Sequence, residues 1–580
     1  MRNRMQKLVA VAVAAAVAAA PASGWAHAWE YLGFNSESIA MGGAMIGGAQ
    51  GASAAFYNPA AFIRGRTRGG ELSVLAGVPL MKVTPEKNSG LESVAAMPAL
   101  PSNGCAELAA TDPDLADCNR SVAKYDRYRI AAREHLDYNK QLYNDAARPR
   151  SIYGATIGGV LPLAFDPKDA VLAVGGAVFL PIGPVVYQRI KSPSIPYFLR
   201  YDDGPHRVVI NAGISGELPF GLRLGIGADM LVDVLASIDA NVFVPPELFI
   251  LPEPNLKDIR FEGVGTVELP VAISPTAGLQ YEPAKWINLG LLFRYEQNVE
   301  INLDGNIIVH TGRANPNKIP VSVATSGTFT PTTVGGGVSL MPVEQLTINI
   351  DAAWKQWSHY EPPFSVDLQI SGIADTACNV IDNIDQLPEI LELIPEDLKS
   401  FIPEDGVCGL IKQVVPTKIE ANPYNSKTKF KDVVELSLGT RYGFKDNQYS
   451  LSAGYKFQPT PVPDQTGIYN ILDSDTHVLS GGVGATWQGI NFSLFGQYRM
   501  LTDRTFKKRT LPSETQDNFS DFDQDALPDA AFSYSNDTIA SGLSDMEDNT
   551  AGIQYATPGY PGLSIGGGYL TVGLEASMSF

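Results

Sequence analysis

Charged residues recur at alternate positions inside otherwise apolar runs: Arg223, Asp229, Arg294, Glu296, Asp351, Lys355, Glu435, Arg441, Lys456, Arg499 and Glu575. Both signs occupy one parity, so they face a common interior where each must pair or meet water. A structural network holding an internal segment is one use for them, and direct ligand contact is the other. Nothing resembles an enzyme centre. Of the six histidines, His135, His206, His310, His359 and His477 lack HExxH or other metal-ligand spacing, and His27 falls in a leader. Ser358 and His359 are neighbours on a strand and point to opposite faces, which disfavours a nucleophile–base pair. The glycine runs Gly335–Gly337 and Gly566–Gly568 lie in strands rather than before helices, so they cradle no phosphate. Asp521, Asp523, Asp525 and Asp529 alternate as carboxylates that could converge on calcium, with Ala526 where glycine is usual; a solvated acidic loop is the alternative. No other cofactor is expected. The four cysteines fall into two close pairs, Cys105 with Cys118 and Cys378 with Cys408, expected as sequential disulfides of an oxidising compartment. Free thiols or crossed bridges remain open, while a zinc site is disfavoured by the absence of CxxC.

The elements that position these groups are strands. The chain has 580 residues, 45% of them hydrophobic, with 55 Gly and 41 Pro, a balance that favours strands and turns. Its formal charge of -19 argues against nucleic acid as a partner. Arg2, Arg4 and Lys7, the apolar run Leu8 to Ala20 and Ala26-His27-Ala28 form a secretory leader over 1–28. Beyond it no apolar stretch is long enough for a spanning helix, so a membrane form must be a barrel. The last strand is explicit: Leu570, Val572, Leu574, Ala576, Met578 and Phe580 share one parity, while Tyr569, Thr571, Gly573, Glu575, Ser577 and Ser579 take the other. A terminal Phe on such a strand resembles the signature of bacterial outer-membrane proteins. The same alternation places fourteen strands near 69–82, 150–163, 169–181, 205–217, 221–233, 270–281, 287–300, 330–341, 345–357, 431–445, 448–458, 476–487, 490–502 and 567–580. Short turns alternate with long loops at 83–149, 358–430 and 503–566. Trp286, Trp357, Tyr360 and Trp487 lie near strand ends, as an interfacial aromatic belt requires. The fold class expected is all-β, a 14-stranded antiparallel transmembrane barrel over 67–580. Residues 29–66, rich in Gly, Ala and Ser, have too little bulk for a core of their own and are expected as a plug inside it.

Gly33-Phe34, the close SAAFYNPAA from Ser53, and the collinear motifs Phe179-Leu180-Pro181-Ile182-Gly183, Trp354-Lys355-Gln356-Trp357-Ser358, Phe430-Lys431-Asp432, Pro459-Thr460-Pro461-Val462-Pro463 and Ile471-Leu472-Asp473-Ser474-Asp475-Thr476-His477 together resemble the FadL family of outer-membrane fatty acid transporters. The family's Arg before the His is Thr476 here. The resemblance implies passive uptake of hydrophobic molecules, fatty acids or hydrocarbons, by a monomer in the bacterial outer membrane, in contact with its lipids and lipopolysaccharide. It also implies a hatch and ligand path including Phe34, Asn58, Pro59 and Ala60, and release through a gap beside a kinked third strand. Gly175 and Gly176, with Pro181, are the candidates for that lateral gate, since absent side chains permit a kink or bulge; the equal alternative for the two glycines is small lumenal residues beside the plug. Apolar clusters at 195–199 and 242–251, with Phe198, Phe243 and Phe249, suit an outer capture surface, with self-packing of the loops as the equal alternative. Helically spaced Ile381 to Ile402, between Cys378 and Cys408, suits a lid. Bridging of the Asp521–Asp529 loop to lipopolysaccharide through divalent ions is a further reading. The alternatives to this function are a general diffusion porin and a surface-interaction protein using the barrel as a pedestal.

Overall fold

The computed structural model describes residues 28–85, 151–164, 170–182, 197–201, 208–232, 235–243, 260–268, 271–310, 317–360, 364–367, 430–463, 471–507 and 562–579, with the single positions 96, 133, 149 and 166. The leader up to His27, all four cysteines, Asp521 to Asp529, Phe249 and the segment Ile381 to Ile402 lie outside the described residues.

In chain order the strands begin β1 (Gly69–Pro85), β2 (Ile152–Pro162), β3 (Leu172–Pro181), β4 (Tyr197–Phe198), β5 (Val209–Leu218), β6 (Leu222–Val232) and β7 (Leu235–Phe243). They continue as β8 (Arg260–Glu268), β9 (Val271–Ala284), β10 (Ile287–Arg294), β11 (Gln297–His310), β12 (Asn317–Thr330), β13 (Thr332–Val343) and β14 (Leu346–Gln356). The last are β15 (Phe364–Asp367), β16 (Val433–Phe444), β17 (Tyr449–Gln458), β18 (Ile471–Leu472), β19 (Thr476–Trp487), β20 (Ile490–Lys507) and β21 (Gly562–Ser579). Fourteen of them close a barrel in the order β1-β2-β3-β5-β6-β9-β10-β13-β14-β16-β17-β19-β20-β21, with β1 paired antiparallel to β21. Closure satisfies every strand edge, which an apolar outer face could not leave open.

Side-chain alternation is the cause of this wall. Along β10 the inward positions are Asn288, Gly290, Leu292 and Arg294, all buried, while Leu289, Leu291 and Phe293 stand exposed. Along β16, Val433, Glu435 and Ser437 are buried and Val434, Leu436 and Leu438 exposed. A period of two with apolar residues outside is the pattern a lipid-facing barrel requires. Tight turns close one end: Gln488 and Gly489 join β19 to β20 with φ of 50° and 81°, the left-handed pair of a two-residue hairpin. Trp286 and Trp487 stand exposed at that short-turn end, as a belt requires, but Trp357 and Tyr360 are buried. They pack on Phe329 and Phe430 at the other rim instead of facing lipid.

Two sheets lie beyond the barrel. β15-β12-β11-β7-β8 form one, continuing the chain directions of β6, β9, β10 and β13, and β4 pairs in parallel with β18 in the other. The strand expected over 287–300 is therefore two: β10 ends at Arg294 in the wall, and β11 starts at Gln297 in the outer sheet.

Candidate lumenal site

Before β1 the chain folds as α1 (Ala28–Leu32), α2 (Ser36–Ala40), a 3-10 turn over Gly51–Ser53, α3 (Ala54–Tyr57) and a second 3-10 turn over Pro59–Ile63. These are short because glycines interrupt them and because side-chain caps end the reading frames. Asn35 caps α2, its side-chain oxygen accepting from the Ser38 N–H at 3.0 Å, while the Ser38 hydroxyl accepts from the Asn35 N–H and donates to the Asn35 carbonyl. Asn58 starts the second 3-10 turn with Pro59 behind it.

The segment touches strands all round the ring, which places it inside. The Glu575 carboxylate accepts from the Ser36 N–H at 2.6 Å and the Asp351 carboxylate from the Ile46 N–H at 2.7 Å. Asn349 donates to the Ala44 carbonyl at 2.7 Å, Ser215 accepts from the Ile63 N–H at 2.8 Å, and Gln497 donates to the Tyr31 and Leu32 carbonyls. Close approach is possible because the facing wall positions are glycines. A Cβ on Gly225 would overlap Pro59 and Ala60, one on Gly278 the side chain of Asn58, one on Gly290 the Ile46 carbonyl, and one on Gly439 or Gly454 the backbone at Met41. Asn58 is fully buried; its amide donates to the carbonyls of Ile46, Leu279 and Leu291 at 3.0, 3.1 and 3.3 Å.

Toward the long-loop end, the segment's start forms the floor of a cavity of about 80 Å³ lined by Trp29, Phe56, Tyr57, Leu292, Arg294, Lys355, Glu435, Lys456 and Arg499, among others. Its aromatic side packs Trp29 against Phe34, Phe56 and Phe179 with ring centroids 4.8, 6.0 and 6.5 Å apart. The Trp29 indole N–H donates to Thr156 Oγ1 at 3.0 Å. Its charges are paired within the protein. The Glu435 carboxylate holds Lys355 at 3.1 Å and Lys456 at 2.8 Å, Arg294 meets Asp229 at 2.6 Å, and Arg499 donates to Gln458. Burial pushes the phenols of Tyr31 and Tyr57 upward, which keeps both neutral. A second cavity, of about 260 Å³, opens at the short-turn end and is polar, with Asn35, Glu37, Arg64, Glu71, Arg441 and Glu575 in its wall. The first can receive an apolar group against aromatic rings, and the second, lined by polar and charged groups, suits water.

Ten of the eleven interior charges read from parity stand on the inward side of the wall, where most pair with one another or with the inner segment; Arg223 instead pairs with Glu217 and Glu282, and Arg499 bonds Gln458. Glu296, the eleventh, sits past the end of β10 and accepts from the exposed His359 at 3.0 Å. Phe34, Asn58, Pro59 and Ala60 lie together in the buried inner segment, with Phe34 on the aromatic floor and the other three on the glycine seat.

Two expectations are corrected. The kink or bulge at Gly175 and Gly176 is absent: β3 pairs with β2 over Ala173–Pro181 and with β5 over Leu172–Phe179 in unbroken register. Those glycines are small because Phe62 packs on Gly175, and Gly176 lies against the Asn211 backbone. Only Leu180 and Pro181 extend past the pairing with β5. Nor is the cluster at 195–199 an exposed patch. Tyr197, Phe198 and Leu199 are buried, Phe198 to 1% exposure, because β4 is covered on both sides. Phe243 ends β7 in the outer sheet, opposite Arg260. Sequence reasoning missed Arg200, Asp473 and Tyr201, which come together from separate loops. The only sign of them was Asp473 inside a motif.

Residues 270–491 match the family described as outer membrane protein transport protein (OMPP1/FadL/TodX). The resemblance read from the motifs is borne out there, and the family is one of transport rather than of enzymes. No curated protein matches the chain. Among solved structures, the chain is similar to a Pseudomonas aeruginosa FadL homologue, 12% identical over 94% of this chain and 98% of that one, with a TM-score of 0.48. It is also similar to the P. putida toluene transporter TodX, at 12% identity, 95% and 99% coverage and a TM-score of 0.44. The Ralstonia pickettii toluene transporter TbuX follows at 12% identity, 95% and 100% coverage and a TM-score of 0.40.

Proposed function

With residues 270–491 matching a family of outer-membrane transport proteins, we propose that the chain is a passive channel for small hydrophobic molecules, long-chain fatty acids and aromatic hydrocarbons being the two candidate classes. Cargo is captured among the outer loops, passes to the aromatic floor beside Trp29 and leaves sideways into the membrane, without a cofactor and as a monomer. The observation that carries this reading is the seated inner segment. It occupies the lumen from Gly225 on one side to Gly454 on the other, leaving a small aromatic cavity above and a polar one below. A hydrophobic molecule gains from leaving water for such an apolar site, whereas a hydrated solute would need a continuous aqueous bore. That requirement also weighs against a general diffusion porin.

Ala353 lines the cavity from the wall strand β14. An Ala353→Trp variant should fill it and lower uptake of labelled oleate and of labelled toluene on the order of tenfold, because a side chain larger than the space excludes cargo. The host must lack its own transporter, and the variant must still assemble as a heat-modifiable barrel. Undiminished uptake with the cavity filled would refute the lumenal route.

A further inference from the structure

The loop leaving β3 and the segment between β17 and β19 start from distant parts of the wall. Four barrel strands separate β19 from β3 on one side and seven separate β3 from β17 on the other. They nevertheless meet. Tyr197 pairs with Ile471 and Phe198 with Leu472 in parallel, and the Leu199 N–H donates to the Leu472 carbonyl at 2.9 Å. The joined segments thus reach across the barrel mouth.

Beneath them is the start of the inner segment. Phe198, Tyr201 and Leu472 belong to the same buried apolar cluster as Trp29, Leu32 and Phe34. Tyr197, Leu199 and Ile471 pack with Tyr31 and with the rim aromatics Phe329, Trp357, Tyr360 and Phe430. Tyr201 links the strap to both floor and wall, its ring 6.1 Å from Tyr31 and stacked 5.4 Å from Tyr569.

One ion pair fastens the crossing. Arg200 is buried to 1% and lies 3.4 Å from Asp473, itself fully buried; Arg200 also donates to the Pro459 carbonyl at 2.6 Å. Asp473 accepts from Thr460 Oγ1 at 2.7 Å, and Arg504 donates to the Asp473 and Val462 carbonyls at 2.9 and 3.0 Å. Both charges of the pair stand on loops. The lumenal charges Glu435, Asp351 and Glu575, in contrast, are fixed in wall strands. A buried pair regains hydration when its partners separate, so it adds little net stability to the closed form while fixing its geometry. The Tyr201 hydroxyl is buried without a hydrogen-bond partner among the described residues, and opening would let water reach it.

We propose that β4 and β18, latched by Arg200 and Asp473, form a strap that closes the outer side of the lumenal cavity and must lift to admit hydrophobic cargo. The inference rests on the channel reading above and adds a gate to it.

Phe198 and Leu472 are cross-strand neighbours, so the full-length chain carrying Phe198→Cys and Leu472→Cys can be crosslinked and released in the same molecule. Oleate uptake should fall on the order of tenfold in the oxidised form and return on reduction, as expected when a gating motion is blocked. Wild type treated with the same reductant controls for the native cysteines. Equal uptake by crosslinked and reduced forms would overturn the strap but leave the channel standing. No uptake by wild type would remove the channel reading and the strap with it. A second variant, Arg200→Gln with Asp473→Asn, keeps size and hydrogen bonding but removes both charges. Its initial uptake rate should rise, and an unchanged or lower rate would also overturn the strap.

Discussion

Asn58 shows what a single residue does here. Its amide serves three carbonyls, and its oxygen accepts from the Ala60 N–H at 3.1 Å, so one side chain ties the inner segment to itself and to β9 and β10. Asn58→Ala would remove these bonds and loosen the segment by roughly 1–3 kcal/mol. Hydrogen–deuterium exchange would register this as faster exchange over 44–63 with wall strands unchanged; uniform protection would show that the bonds are redundant. The role was half legible. Asn58-Pro59-Ala60 stood out as a motif, but its partners at Leu279 and Leu291 lie over two hundred positions away, where no local pattern connects them. Phe198 failed for the same reason. Its composition reads as an exposed patch, and only pairing with a distant segment buries it.

Among the elements, the wall strands were the most legible part, because inside and outside impose opposite demands at every second residue. All fourteen are found near their expected places, except that the one expected over 287–300 leaves the wall at Arg294. The outer sheet was missed: β7, β8, β11 and β12 pair outside the barrel ring, so the alternation that closure of the wall demands is not demanded of them. The break between β10 and β11 at Tyr295 and Glu296 carries no turn residue to announce it. Gly175 and Gly176 admitted two readings, a kink or small residues beside the plug, and the second holds: what the wall glycines supply is space. Gly225→Val would set a branched side chain where Pro59 and Ala60 lie. Overpacking of this kind is relieved by moving the looser partner, which is the inner segment and not the hydrogen-bonded strand. The variant should therefore assemble normally and show ion-conducting openings in planar bilayers that wild type lacks. Silent bilayers with an assembled Gly225→Val barrel would mean that the segment yields without leaving its seat.

At the scale of the whole molecule, the parts describe a barrel whose outer face suits lipid, whose inner face is polar and internally paired, and whose lumen is filled by the chain's own leading segment. Charge pairing explains why so many ionisable groups face inward without forming a water-filled bore: Glu435, Asp229 and Asp351 are occupied by protein partners. The account therefore separates solutes by hydrophobicity rather than size. The most direct test is the paired uptake of labelled oleate and labelled arabinose by intact cells that lack other fatty acid transporters, with and without this protein. Expression should raise oleate entry on the order of tenfold while leaving arabinose unchanged, since only the apolar solute gains from the lumenal site. Faster arabinose entry with no gain in oleate would contradict it.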